Sequence, residues 1–295
     1  MSSLRDAMGI AGRLTSRRPD PDLLHNPDPE LVEAVLPLVG LLERYFRAEV
    51  RGLERMPEGP ALLVGNHNAG ITFLEPFIFG KHYRERFGRV DIHALAHDAL
   101  WKIPVLDGFI AGVGAVRASH ATAAAAFEAG HKVAVWPGGN HEAFRPWKER
   151  HRVDFGGHKG FVRLALRHGV DIVPLLCLGG HEAFFVLRRG ERIARLLGAK
   201  RWLRSEAWPI FLGLPWGIGF GPLFHLPLPT KVIVEVGEPI EISAASPGLA
   251  DDEAHVDAIY AQVQATLQDM MDRCVAELAR RRRERGPATR WLPLG

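Results

Sequence analysis

What most restricts the fold open to this chain is a series of short apolar runs set between stretches of helical spacing. The runs are Ala61–Val64, Val90–Leu95, Lys132–Trp136, Val170–Leu178 and Lys231–Val236. Segments so short and so largely apolar fit strands buried on both faces, as in parallel sheets. From Leu31 to about Arg51, Leu31, Val32, Val35, Leu36, Val39, Leu42, Tyr45 and Phe46 follow helical spacing behind an Asn26-Pro-Asp-Pro-Glu30 start. Ser119–Ala129 reads as an alanine-rich helix stopped by Gly130, and Lys159–Arg167 as a helix ending at His168-Gly169. Asp251–Arg283 aligns Val256, Ile259, Tyr260, Val263, Leu267, Met270, Cys274 and Leu278 on one helix face. Strands alternating with helices predict an α/β fold: a central, mostly parallel mixed sheet flanked by helices, with further helices at the two ends.

With 295 residues there is ample chain for a core, and 47% apolar with 24% charged residues excludes a disordered, collagen-like or multi-span membrane protein. Residues 1–25 are expected to be poorly ordered, 26–285 to form one domain with its core in 53–242, and 286–295 to be a tail. Two cysteines, Cys177 and Cys274, neither in a C-x-x-C pair, point to a reducing compartment and away from a structural zinc. The Met8–Ala11 apolar patch is too short for a signal peptide.

Charge is clustered. Arg188–Arg204 holds seven basic residues against Glu191 alone, and Arg145–Arg167 holds seven against Glu149 and Asp154. Such patches suit anionic partners. Beyond the first cluster, the 24 residues Ala207–Thr230 contain no Asp, Glu, Lys or Arg. About 20 apolar residues span a bilayer, yet the five prolines here would leave lipid-exposed backbone unbonded. Two readings remain: an interfacial or re-entrant apolar surface against an anionic membrane, or buried loops packed on the sheet. The aromatic residues form no stacking platform, so nucleic acid is not expected as a partner.

Common catalytic signatures are missing: no G-x-S-x-G elbow, no phosphate-binding G-x-x-x-x-G-K-[ST], no H-E-x-x-H. What remains is two strand ends. Asn66-His67 follows the first apolar run, where open α/β sheets place ligands. An imidazole there suits removal of a proton from an alcohol, and Glu75 is the nearby carboxylate to orient it. Pro137-Gly138-Gly139 follows the third run, and its backbone N–H groups can hold a phosphate or an oxyanion.

These blocks resemble the lysophospholipid (glycerolipid) acyltransferase superfamily, in the branch nearer diacylglycerol acyltransferase-like proteins. Asn66-His67 looks like its first block and Gly112-Val-Gly-Ala-Val-Arg117 its second. Trp136-Pro-Gly-Gly-Asn-His-Glu142 looks like the third, in a P-G-G-x-x-E form, and Ile172-Val-Pro174 the fourth. The likeness runs from about Leu53 to Ile242. It implies acyl transfer from acyl-CoA, a co-substrate with no further cofactor and no metal, to a glycerolipid or lysophospholipid hydroxyl. His67 would be the base and Glu75 its orienting acid. Asn66, Arg117, Pro137, Gly138, Gly139, Glu142 and Arg145 would contact substrate. The expected location is the cytoplasmic face of a membrane, peripheral or monotopic. Where the family carries His, four residues and then Asp, this chain has Thr72 at the Asp position. Glu75 as substitute, another carboxylate such as Glu142, and a differently wired or inactive site are the alternatives. A non-catalytic lipid-binding protein on the same fold is the rival function.

Overall fold

The computed structural model describes residues 20–70, 74–203, 205–242 and 244–284. The expectations for residues 1–19, for Thr72 and for the tail beyond residue 284 lie outside the described residues.

Helix α1 (Pro29–Phe46) begins where Asp28 accepts the N–H groups of Glu30 and Leu31, with Pro29 in the first turn, where no helical N–H bond is lost. It stops short of the expected Arg51. Arg47 turns left-handed at φ 47°, its N–H closes on the Arg44 carbonyl, and Lys231 Nζ takes the Arg47 carbonyl at 2.6 Å. Glu49–Arg51 is instead the edge strand β1.

The chain continues through β2 (Leu62–Gly65), α2 (Glu75–Phe87), β3 (Ile92–Ala96), α3 (Leu106–Gly112) and β4 (Val116–Arg117). Next come α4 (His120–Glu128), β5 (Lys132–Val135), α5 (Gly139–Ala143), α6 (Gly160–His168) and β6 (Ile172–Leu178). Then follow α7 (Gly180–Ala183), β7 (Phe185–Arg188), α8 (Glu191–Leu196), α9 (Ala199–Leu203), β8 (Ile210–Gly213) and β9 (Gly217–Phe220). Strand β10 (Ile233–Val236) and the long α10 (Glu253–Glu284) close the described chain. Seven strands form one sheet in the order β1-β10-β6-β2-β5-β3-β4. The five from β6 to β4 run parallel, while β10 lies antiparallel to β6 and carries β1 beside it. This is the mixed, mostly parallel sheet expected.

Alternate residues of each strand feed two cores. Leu62, Val64, Val133, Ile172, Leu176 and Ile233 pack under α4, α6 and α10, where the expected seam from Val256 to Leu278 is buried. Leu63, Ala134, Val173, Leu175, Cys177 and Val234 face the opposite way and meet Phe46 of α1 with Phe79 and Tyr83 of α2. Burial on both faces is why these strands read as largely apolar runs.

The charge-free segment is neither a re-entrant span nor simply buried. It forms strands β8 and β9 and the loop after them, in a second, antiparallel sheet ordered β7-β8-β9. Val186 and Phe211 face inward onto Phe184 and Ala69, while Leu212, Ile218 and Phe220 face out. Among the described residues no helix is long and apolar enough to cross a membrane.

Candidate active site

The first two positions past β2 are pinned by the neighbouring strands. Asn66 is fully buried, and its amide spends both ends on Cys177 of β6: Nδ2 donates to the carbonyl at 2.7 Å and Oδ1 accepts the N–H at 2.8 Å. The side chain thus copies one more rung of the β2–β6 ladder. Expected to contact substrate, Asn66 instead fixes the backbone that carries His67.

The His67 peptide is held from both sides. Its N–H donates to Glu142 Oε2 at 2.9 Å. Its carbonyl faces His181 Nε2 at 3.2 Å and Arg145 Nη2 at 3.5 Å, and Arg145 Nη2 lies 3.0 Å from His181 Nε2. Glu142, Arg145 and His181 are all buried. Glu142 Oε1 also accepts the Asp154 N–H at 3.1 Å and lies 3.6 Å from Arg145 Nη1. Burial pushes the Glu142 carboxyl up to about 7 against the pull of Arg145, and lowers the Arg145 guanidinium. Burial, with Arg145 beside it, holds His181 well below the ordinary imidazole range, so it is neutral.

Two small residues make this packing possible. A Cβ on Gly138 would lie 2.2 Å from Glu142 Cγ and 2.3 Å from its Oε2. A Cβ on Gly180 would lie 2.4 Å from Asn68 Cβ. The glycine turns after β5 and β6 let two short helices, α5 and α7, close on β2 from its two neighbours. Both carry the sequence His-Glu-Ala-Phe, at 141–144 and 181–184. Glu142 reaches the His67 N–H from the first copy, and His181 reaches its carbonyl from the second. The sequence echo was visible, but only the β6-β2-β5 strand order shows that the copies flank one residue.

The His67 ring is partly buried, and its Nδ1 lies 2.8 Å from the Asn68 carbonyl. A carbonyl only accepts, so Nδ1 carries the hydrogen and Nε2 the lone pair. Burial, reinforced by the Arg145 charge, pushes the imidazole down to about 4. It is neutral at physiological pH, the form a base requires.

Glu75, expected to orient His67, does not bond its ring. The first residue of α2, it is buried, and its Oε1 accepts from Asn68 Nδ2 at 2.6 Å. Its Oε2 has no hydrogen-bond partner among the described residues. Glu75 also lines a small apolar pocket with Phe46, Ile78, Phe184, His225 and Pro227. Burial raises its carboxyl above the ordinary range. The link from Glu75 to the imidazole therefore runs through Asn68, a residue the sequence reading passed over.

Other expected contacts fall elsewhere. Arg145, expected to contact substrate, is instead buried and paired with Glu142. Arg117 ends β4, three strands from β2 and so about 14 Å away across the sheet, with its guanidinium 2.9 Å from Asp22 and 3.4 Å from Asp98. In the Pro137-Gly138-Gly139 turn, the Gly139 N–H donates to the Trp136 carbonyl at 3.2 Å. That leaves Gly138 as the N–H donor the two glycines can still offer a ligand. Among the described residues no group of three or more His, Cys, Asp or Glu is placed to hold a metal ion.

Comparison with known proteins gives relatives in sequence and in fold. An uncharacterised protein of Mycobacterium tuberculosis is 29% identical over 252 residues, covering 84% of this chain and 68% of the relative. The bovine DGAT1/2-independent enzyme synthesizing storage lipids is 30% identical over 169 residues, 57% of this chain and 48% of that protein. Diacylglycerol O-acyltransferase 2 of Dictyostelium discoideum is 25% identical over 193 residues, 64% of this chain and 57% of that one. In fold, the chain is similar to the crystal structure of the 1-acyl-sn-glycerophosphate (LPA) acyltransferase of Thermotoga maritima. The TM-score is 0.53 at 15% identity, over 92% of this chain and 88% of that one. The sequence profile of the diacylglycerol acyltransferase family matches residues 39–279. With a histidine locked at the end of β2 and a profile match over most of its length, the chain belongs to the diacylglycerol acyltransferase family, within the glycerolipid acyltransferase superfamily, and is an acyltransferase.

Proposed function

We propose that the protein transfers a fatty acyl chain from acyl-CoA to the free hydroxyl of a neutral glycerolipid at a membrane surface. The observation that carries this reading is the tautomer of His67: Nδ1–H is committed to the Asn68 carbonyl, which leaves Nε2 as the basic nitrogen. Nε2 takes the hydroxyl proton while the alcohol oxygen attacks the thioester carbonyl carbon, so that a C–O bond forms. The C–S bond then breaks, and the departing sulfur takes the proton from the imidazolium, giving an ester and a free thiol. No acyl-enzyme is needed, and the two cysteines are both buried. The Gly138 N–H is the donor proposed for the oxyanion.

A neutral acceptor fits the charges around His67. A phosphate-bearing acceptor needs a cation there, but the nearby guanidinium of Arg145 is buried against Glu142 and His181.

The test is labelled acyl-CoA offered with diacylglycerol, monoacylglycerol and lysophosphatidate. Ester formation with a neutral acceptor at the highest kcat/KM is the expected result. Preference for lysophosphatidate would overturn the acceptor assignment, and binding without product on every lipid would favour a lipid-binding role.

A further inference from the structure

We infer that the outer face of the β7-β8-β9 sheet and the exposed stripe of α1 together form one docking surface for an anionic bilayer, with the Glu75 pocket between them. This rests on the acyl-transfer reading only for its purpose, not for its geometry.

An antiparallel sheet with one face in water alternates apolar and polar residues. This one does not. Inward, Val186 and Phe211 pack on Phe184; outward, Leu212 pairs with Ile218 and Ile210 with Phe220 across β8 and β9. Ile218 is 62% and Phe220 57% exposed. On α1, Leu38, Leu41 and Tyr45 lie three and four residues apart, a single stripe, and all are exposed. The two surfaces join where Tyr45 Oη donates to the Pro227 carbonyl at 2.8 Å, just past the exposed Phe224 and Leu226. Phe46 and Pro227 at that junction are walls of the pocket that contains Glu75. An acceptor lipid held by this face therefore meets the pocket without crossing water.

Charge names the occupant. Arg44 on α1 and Arg47 just past its end, with Arg188, Arg192 and Arg195 on β7 and α8, are exposed and make no ion pair among the described residues. The acids beside them are already matched: Glu43 with Lys81, Glu191 with Arg189 and Glu206 with Lys200. Exposed apolar side chains edged by unmatched arginines suit an anionic leaflet, where each basic residue strengthens binding about five-fold.

The experiment is co-sedimentation of the full chain with phosphatidylcholine vesicles, with and without phosphatidylglycerol. Binding should rise with phosphatidylglycerol and weaken with salt. R192Q/R195Q should lower binding to anionic vesicles about thirty-fold, and I218S/F220S should lower it at least about ten-fold. Both variants should keep the wild-type melting temperature and the wild-type rate of transfer to a water-soluble short-chain acceptor. Vesicle binding unchanged in both variants overturns the proposal. So does a wild-type dimer that I218S/F220S dissociates without any vesicle binding, because the face would then be covered by a second copy. If the wild type binds vesicles as described but transfers no acyl group, docking stands and the catalytic reading fails instead.

Discussion

The buried Glu142–Arg145 pair offers a quantitative prediction. The charges lie 3.6 Å apart with both side chains wholly out of solvent. At an effective dielectric near 20 their attraction is about 5 kcal/mol, which burial of both ions largely offsets. Removing one partner leaves the other charge buried alone, so E142Q and R145M should each cost about 3–5 kcal/mol. The double variant keeps neither charge and should cost at least about 2 kcal/mol less than the sum of the singles. Urea unfolding of the four proteins at pH 8 measures this coupling. Because burial raises the Glu142 carboxyl to about 7, the group is mostly neutral at pH 5.5, where the coupling should shrink. Additivity within about 0.5 kcal/mol at pH 8 would refute the idea that the two residues act as one unit.

Three further outcomes follow from the same geometry. Glu142 is pinned by two N–H bonds and cannot swing away from a new Cβ at 138, so G138A should destabilise by about 1–3 kcal/mol and cut initial rates at least about ten-fold; an unchanged melting temperature and rate would show the clash is absorbed. E75Q retains an acceptor for Asn68 Nδ2 and should keep most activity, whereas N68A breaks the link to α2 and should lose more of it; the reverse order in steady-state kinetics would make the Glu75 charge itself essential. The acid limb of kcat/KM should centre near 4 instead of 6.5, because protonation of His67 is opposed by burial and Arg145. The same shift makes the unfolded chain bind the extra proton between those values, so the stability contributed by neutral His67 is lost as pH falls from 6.5 toward 4. A limb at 6.5 would mean an imidazole open to water.

The central strands and the flanking helices were legible in the sequence because burial on both sheet faces leaves a largely apolar run, and α10 presents one long seam. Helix α2 was not, since Glu75–Phe87 buries few positions among many charged ones. Nor was β1: Val50 continues the helical spacing of α1, and only the left-handed turn at Arg47 ends it. His67 could be found from its place after a strand, but the uses of Asn66, Arg145 and Glu75 could not. A polar residue near a site reads as a ligand contact until its partners are known: Cys177, which holds Asn66, lies on another strand, while Glu142 and Asn68 are near Arg145 and Glu75 in sequence but reach them only once the turns after β5 and β2 have buried them. Likewise, the charge-free segment announced apolar surface correctly, while its hairpin form depended on pairing with β7, which nothing local encodes.

The most direct measurement is the rate at which H67A moves a labelled acyl group from acyl-CoA to diacylglycerol, compared with wild type at matched melting temperature. With the basic nitrogen removed and acyl-CoA binding retained, kcat should fall by about 10²–10⁴-fold. Transfer at close to the wild-type rate by a properly folded H67A would show that another group takes the proton.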